Sequence, residues 1–105
     1  MRCEQFITVG LNPCLDINCY VKNFKIDDIA RIKEKRISAG GKAFNVAKFL
    51  NQYRRIVKPV GIAGGYNGGR FKSLLEKDKI PTEYLFNISG EIRENYNFFL
   101  KMVLY

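Results

Sequence analysis

Ala39-Gly40-Gly41-Lys42-Ala43-Phe44-Asn45 runs straight into Val-Ala-Lys-Phe-Leu-Asn-Gln-Tyr at residues 46–53. Two glycines, a lysine and an asparagine at the mouth of an amphipathic stretch read as a strand-to-helix turn. Glycine lets backbone approach a ligand closely, and the N–H groups at a helix start attract anions. A plain structural turn has the same appearance, because glycine-rich strand-to-helix turns are common. The stretch is neither a Walker loop nor a dinucleotide fingerprint. No Gly-Lys-Ser/Thr follows the required spacer, and the third glycine is missing.

Downstream, the spacing predicts a helix over residues 41–53 with Ala43, Val46, Ala47, Leu50 and Tyr53 as its apolar stripe. Residues 58–63 read as a strand, broken by Gly61 and closed by Gly64-Gly65. Asn67 is placed to cap a second helix running through Asp78, with Phe71, Leu74 and Leu75 inward. Residues 82–88 read as a strand, Ser89-Gly90 as a turn, and the aromatic residues 95–104 as a further strand.

Upstream, residues 6–11 are a short apolar run ended by Asn12-Pro13, which reads as a buried strand. Residues 16–21 alternate, with Ile17, Cys19 and Val21 on one face and Asn18 and Tyr20 on the other. Residues 23–29 form a connection. The basic residues 31–38 are predicted to be an exposed strand pairing with 16–21. Strands alternating with helices point to an α/β sheet. The polar hairpin is unsuited to a buried parallel sheet, so it is expected to project as a flap near the Gly-Gly-Lys turn.

The composition narrows the chemistry. The chain has 105 residues, 47% hydrophobic and 27% charged, which suits one small globular domain. It carries a net charge of +8 and no histidine. Every Ser-His or Cys-His nucleophile scheme is thereby excluded. Three cysteines, Cys3, Cys14 and Cys19, include no Cys-x-x-Cys pair, so reduced thiols and a reducing compartment are expected rather than zinc. No long apolar run or signal-like start is present, and a cytoplasmic location is the expectation, with no membrane partner. The positive charge suits a small anionic substrate. It also suits nucleic acid, with Tyr20, Tyr53, Tyr66 and Phe98 as stacking surfaces, although the basic residues form no single block and no RRM-type signature occurs. Residues 97–105 are apolar and aromatic with no closing turn, so the chain is expected to be the front part of a longer protein.

Four segments in register resemble the PfkB (ribokinase-like) carbohydrate kinases, in the branch of 1-phosphofructokinase and tagatose-6-phosphate kinase. They are Val9-Gly-Leu-Asn-Pro-Cys-Leu-Asp16, Ala39-Gly-Gly-Lys-Ala-Phe-Asn-Val-Ala47, Gly61-Ile-Ala-Gly-Gly-Tyr-Asn-Gly68 and Gly90-Glu-Ile-Arg-Glu-Asn95. The resemblance implies an α/β fold, the N-terminal portion of a doubly wound sheet with a small β lid. The lid strands would lie at about 16–38 and about 92–104, and the C-terminal nucleotide-binding half would be absent. Asp16 and Asn45 would hold sugar hydroxyls, Gly40 and Gly41 would pack against the sugar, and Lys42 and Arg93 would meet the substrate's phosphate. A carboxylate and an amide suit hydroxyls, and a guanidinium suits a phosphate.

The whole enzyme would transfer the γ-phosphoryl of ATP, with Mg²⁺, to a sugar phosphate such as fructose 1-phosphate or tagatose 6-phosphate. Its catalytic aspartate is expected beyond residue 105, so the chain alone would bind no cofactor and be inactive. A homodimer clasped through lid strands is implied. An inactive kinase remnant is the other reading within this resemblance. The departures are Ala43 for a usual glycine, Arg54 and Lys79 for helix-ending glycines, Ile92 for threonine, and Asn97 for a common lysine. Losing the two glycines removes favoured left-handed caps.

Overall fold

The computed structural model describes residues 4–102. It contains β1 (Gln5–Gly10), β2 (Cys14–Phe24), β3 (Ile32–Gly40), α1 (Lys42–Gln52), β4 (Ile56–Gly64), α2 (Gly65–Lys77), β5 (Leu85–Ile88) and β6 (Arg93–Met102). These form two separate sheets. The inner sheet, β1-β4-β5, is wholly parallel, and the outer sheet has the order β3-β2-β6. In the outer sheet β2 pairs antiparallel with β3 and parallel with β6. Residues 103–104 of the predicted last strand lie outside the described residues.

The outer sheet extends away from the inner one. The molecule measures 63 × 34 × 19 Å with a radius of gyration of 17.0 Å, against about 13 Å for a compact chain of about 100 residues. The core joins the two sheets through Leu15, Ile17, Cys19, Ala39, Phe44, Ala63, Phe71, Leu75, Ile80, Leu85 and Ile92. As the alternation predicts, Ile17, Cys19 and Val21 are the buried face of β2. Phe71 and Leu75 are the buried face of α2, with Leu74 packed beside them.

The strand expected to be buried, β1, has no buried residue, and Ile7 and Val9 stand 66% and 65% exposed. Four further expectations need correction. The first concerns α1, whose buried residues are Phe44 and Ala47, while Val46 and Tyr53 stand outward at 48% and 65% exposure. Space on the inner sheet turns the helix. Gly10 and Gly61 face each other across β1 and β4. A Cβ on either would come within 3.0 Å of the Phe44 ring. The ring fills that slot and meets Phe71 edge-on, centroids 4.8 Å apart at 89°. Second, for the same reason, Gly61 does not break β4, which runs unbroken from Ile56 to Gly64. Third, Thr82 lies outside a strand. Its carbonyl accepts from Leu85 N–H at 3.2 Å, so Pro81 leads into a turn and β5 is only Leu85–Ile88. Fourth, α2 begins at Gly65 with Gly64 as N-cap and no capping side chain of its own. Asn67 is inside the first turn, because a distant carboxylate takes the helix's leading N–H groups.

The helix ends keep left-handed caps although both glycines are missing. Arg54 and Lys79 have φ of +57° and +60°. After α1, Arg54 N–H bonds Asn51 O and Arg55 N–H bonds Leu50 O, both at 3.0 Å. After α2, Lys79 N–H bonds Glu76 O and Ile80 N–H bonds Leu75 O, both at 2.9 Å. Each is a Schellman closure built on a side-chain-bearing residue. The two ends are linked by Asn51, whose Nδ2 donates to Asp78 O at 3.1 Å.

Candidate functional site

The C-terminal end of β1, the start of α1 and the start of β6 converge on one concavity. Its volume is about 330 Å³, and it is lined by Val9, Gly10, Leu11, Asn12, Gly41, Lys42, Ala43, Phe44 and Arg93. The ends of parallel strands and the start of a helix are where α/β proteins bind ligands. Gly41 is the N-cap of α1, with φ +106°. That backbone region strains any L side chain. Room is also short, since a Cβ on Gly41 would lie 3.1 Å from Asn12 O.

Two cations, Lys42 and Arg93, line the concavity, and none of its lining side chains is acidic. Arg93 is oriented by Asn12, whose Oδ1 accepts from Nε at 2.9 Å. With Nε occupied, the terminal nitrogens of the guanidinium remain as donors for an anion. Asn12 was legible only as part of an Asn-Pro turn. Its adjacency to a strand end was the available signal.

Asp16 sits beside this concavity rather than in its lining. Asn95 Nδ2 donates to Asp16 Oδ1 at 3.0 Å, and the Cys14 thiol reaches the same oxygen at 3.5 Å. Gly40 packs against the other carboxylate oxygen, so closely that a Cβ would stand 2.1 Å from Oδ2. Burial pushes the Cys14 thiol up, and the Asp16 carboxylate adds to the rise, against Arg93 and Lys48. The thiol is therefore protonated at neutral pH and a poor nucleophile. Cys14 and Cys19 are free and buried. Lys48 donates through Nζ to Ala39 O, tying α1 to the end of β3.

The structure thus brings Gly41, Lys42 and Arg93 to one concavity and holds Asp16 against Gly40 next to it. Asn45 is exposed on α1 and outside the lining, its N–H bonded to Gly41 O at 2.9 Å. Beyond Asp16, the polar face of the outer sheet continues as a ladder. Asn97 Nδ2 donates to Asn18 Oδ1 at 3.0 Å, and Tyr20 stacks on Phe99 at 5.0 Å.

The aromatics considered for nucleic-acid stacking form no common platform. Tyr20 and Phe98 occupy opposite faces of the outer sheet, since Phe98 pairs with Cys19 in register. Tyr66 lies on α2 under Arg70, and Tyr53 is the C-cap of α1. Among the described residues, no group of three or more His, Cys, Asp or Glu is placed to hold a metal ion. The described residues therefore offer no donor set that fits Mg²⁺. No helix of the described residues is long and apolar enough to cross a membrane.

No family model matches the chain. A tagatose-6-phosphate kinase of Staphylococcus epidermidis is 32% identical over 87 residues, 83% of this chain and 28% of that protein. A candidate phosphofructokinase structure from Staphylococcus aureus superposes with a TM-score of 0.78 at 26% identity, covering 92% of this chain and 31% of that one. Phosphofructokinase-2 of Escherichia coli, solved with substrates and products, shares the fold with a TM-score of 0.82 at 22% identity, over 90% of this chain and 31% of that one. The same enzyme has been solved in a tetrameric form. The chain spans about 30% of the length of the relatives it matches. Fold, motif order and sequence identity together place it with the ribokinase-like (PfkB) carbohydrate kinases, as a counterpart of their N-terminal part.

Proposed function

We propose that this chain is the acceptor-binding side of a sugar-phosphate kinase. The acceptor's existing phosphate sits between Lys42 and Arg93, and its hydroxyls meet Asp16 and Asn45 while Gly40 and Gly41 allow close approach. Fructose 1-phosphate and tagatose 6-phosphate are the acceptors we favour. The whole enzyme transfers the γ-phosphoryl group of ATP to a hydroxyl of that sugar phosphate. The nucleotide side and the catalytic base are assigned to none of these residues, so the chain alone is inactive. The outer sheet serves as the lid, and a second copy's lid covers the apolar residues Tyr96, Phe98 and Leu100 that it leaves exposed.

One observation carries this reading. Lys42 and Arg93 come from distant parts of the chain, yet both line the concavity at the start of α1. Two cations held near each other repel unless an anion lies between them, and the helix start adds to its attraction. A guanidinium with its terminal nitrogens unused suits a phosphate better than a hydroxyl.

The test is calorimetric titration of the chain with fructose 1-phosphate, tagatose 6-phosphate and unphosphorylated fructose. Binding of a phosphorylated sugar should exceed that of fructose, and Arg93→Ala should weaken it by about 1.5–3 kcal/mol, the worth of a charge-assisted contact. Arg93→Lys should recover only part, lacking the bidentate fork. Equal affinity in wild type and Arg93→Ala would remove Arg93 from the site. ATP-dependent phosphorylation of either sugar by the 105-residue chain would refute its inactivity.

A further inference from the structure

The segment that carries Arg93 is stitched to α2 by Glu91, which lies between β5 and β6. Its carboxylate takes two consecutive amides of the helix's first turn. Tyr66 N–H donates to Oε1 at 2.6 Å and Asn67 N–H donates to Oε2 at 2.8 Å. Those N–H groups have no acceptor within the helix, and a carboxylate there also meets the positive end of the dipole.

Gly65 is shaped to admit this carboxylate. Its φ is +68°, and a Cβ there would stand 2.2 Å from the Glu91 carboxyl carbon. A second stitch runs alongside. Asn67 Nδ2 donates to Ile92 O at 3.4 Å and to Glu94 Oε1 at 3.2 Å. Ile92 itself is in the core. Glu91, Ile92 and Glu94 are therefore all tied to α2, and Arg93 between them turns the other way, onto Asn12.

We propose that Glu91 is a positioning residue for the anion site. By clamping the start of β6 to α2 it sets where the Arg93 guanidinium stands opposite Lys42. The proposal rests on the reading of the concavity as a phosphate site. Its sign separates it from simple electrostatics. Glu91 is an anion next but one to Arg93. As a mere neighbour it would repel a bound phosphate, and removing its charge would tighten binding. As a positioning residue, its removal loosens binding.

The full chain is titrated with fructose 1-phosphate and tagatose 6-phosphate as wild type, Glu91→Gln, Gly65→Ala and Arg93→Ala, well below each unfolding midpoint. Glutamine keeps the size but turns an NH₂ toward one of two N–H donors. Gly65→Ala evicts the carboxylate and leaves the net charge at +8. Both variants should raise Kd about tenfold, a partial loss of the charge-assisted contact. Both should speed hydrogen exchange of the Tyr66 and Asn67 amides and shift the Arg93 Nε–H resonance.

An unchanged or lower Kd in folded Glu91→Gln overturns the proposal. If that variant does not fold, Gly65→Ala and the wild-type exchange rates decide. Fast exchange of both amides in wild type overturns it equally. Loss of binding in Arg93→Ala with none in Glu91→Gln removes only the role of Glu91. A wild-type chain that binds neither fructose 1-phosphate nor tagatose 6-phosphate, or an Arg93→Ala variant that binds as well as wild type, overturns the phosphate reading and this proposal with it.

Discussion

Arg54→Gly should stabilise the protein, although glycine is the most flexible residue. Arg54 closes α1 with φ +57°, and both Schellman hydrogen bonds form, from Arg54 N–H and Arg55 N–H, so the backbone already has the geometry glycine favours. Holding an L-residue in the left-handed region costs about 1–2 kcal/mol. Glycine removes that strain but gains freedom in the unfolded chain, which takes back about 0.4–1 kcal/mol. The net expectation is about 0.5–1 kcal/mol, or a rise of about 2–8 °C in Tm for a domain of this size.

Lys79→Gly should behave alike, since φ there is +60° and the hydrogen bonds repeat. The Asn51–Asp78 link joins the two helix ends, so the double variant tests additivity. Urea unfolding followed by far-UV circular dichroism should show a higher midpoint with an unchanged slope. Arg54→Ala is the control. It removes the same charge, keeps the strain, and should lie within about 0.5 kcal/mol of wild type. If Arg54→Gly is no more stable than Arg54→Ala, the strain argument is wrong.

Three further outcomes follow from the geometry. Phe44→Ala empties the slot over Gly10 and Gly61, and a fully buried aromatic costs about 3–5 kcal/mol on truncation; urea unfolding measures this, and a loss under about 1 kcal/mol would show that the slot collapses. Gly40→Ala drives a methyl into the Asp16 carboxylate and the Cys14 sulfur, so overpacking of about 1–3 kcal/mol is expected in thermal unfolding. Tyr96 should titrate above the ordinary tyrosine range, because its hydroxyl donates to Glu94 at 2.8 Å, and Glu94→Gln should bring it back down in a spectroscopic pH titration. The same bond, with Asn67, holds the Glu94 carboxyl below its ordinary 4.5, so its contribution to stability is present above that pH and lost as pH falls through the lowered value.

Local signals carried most of the fold. The alternation of residues 16–21 identified the buried face of β2, and the helical spacing of Phe71, Leu74 and Leu75 identified that of α2. Missing glycines at positions 54 and 79 read as lost left-handed caps, yet both caps form on side-chain-bearing residues. What failed depended on partners remote in sequence. Phe44 is central because two glycines on other strands leave room for its ring, which no helical periodicity reveals. Asn67 resembled a helix cap because Glu91, which takes the amides, lies 24 residues beyond it. Asn12 read as a turn former, since its contact with Arg93 spans a separation of 81. The site motifs were visible as strings of glycine, lysine and arginine. Which of them share a concavity is decided by the pairing of β6 alongside β2, and parallel neighbours carry no local turn signal.

That pairing also fixes an order of events during synthesis. β2 and β3 can zip as a hairpin once Gly40 has been made, but their parallel neighbour ends at Met102. At about 5–20 residues per second, the hairpin waits about 3–12 s for its third strand. Throughout that interval the edge of β2 is unpaired and the face bearing Ile17, Cys19 and Val21 lacks its final cover. Such an edge is a template for a neighbouring chain on the same message. The nascent protein is therefore vulnerable to aggregation from the moment the hairpin closes until β6 is made, and a chaperone would find its target in the hairpin.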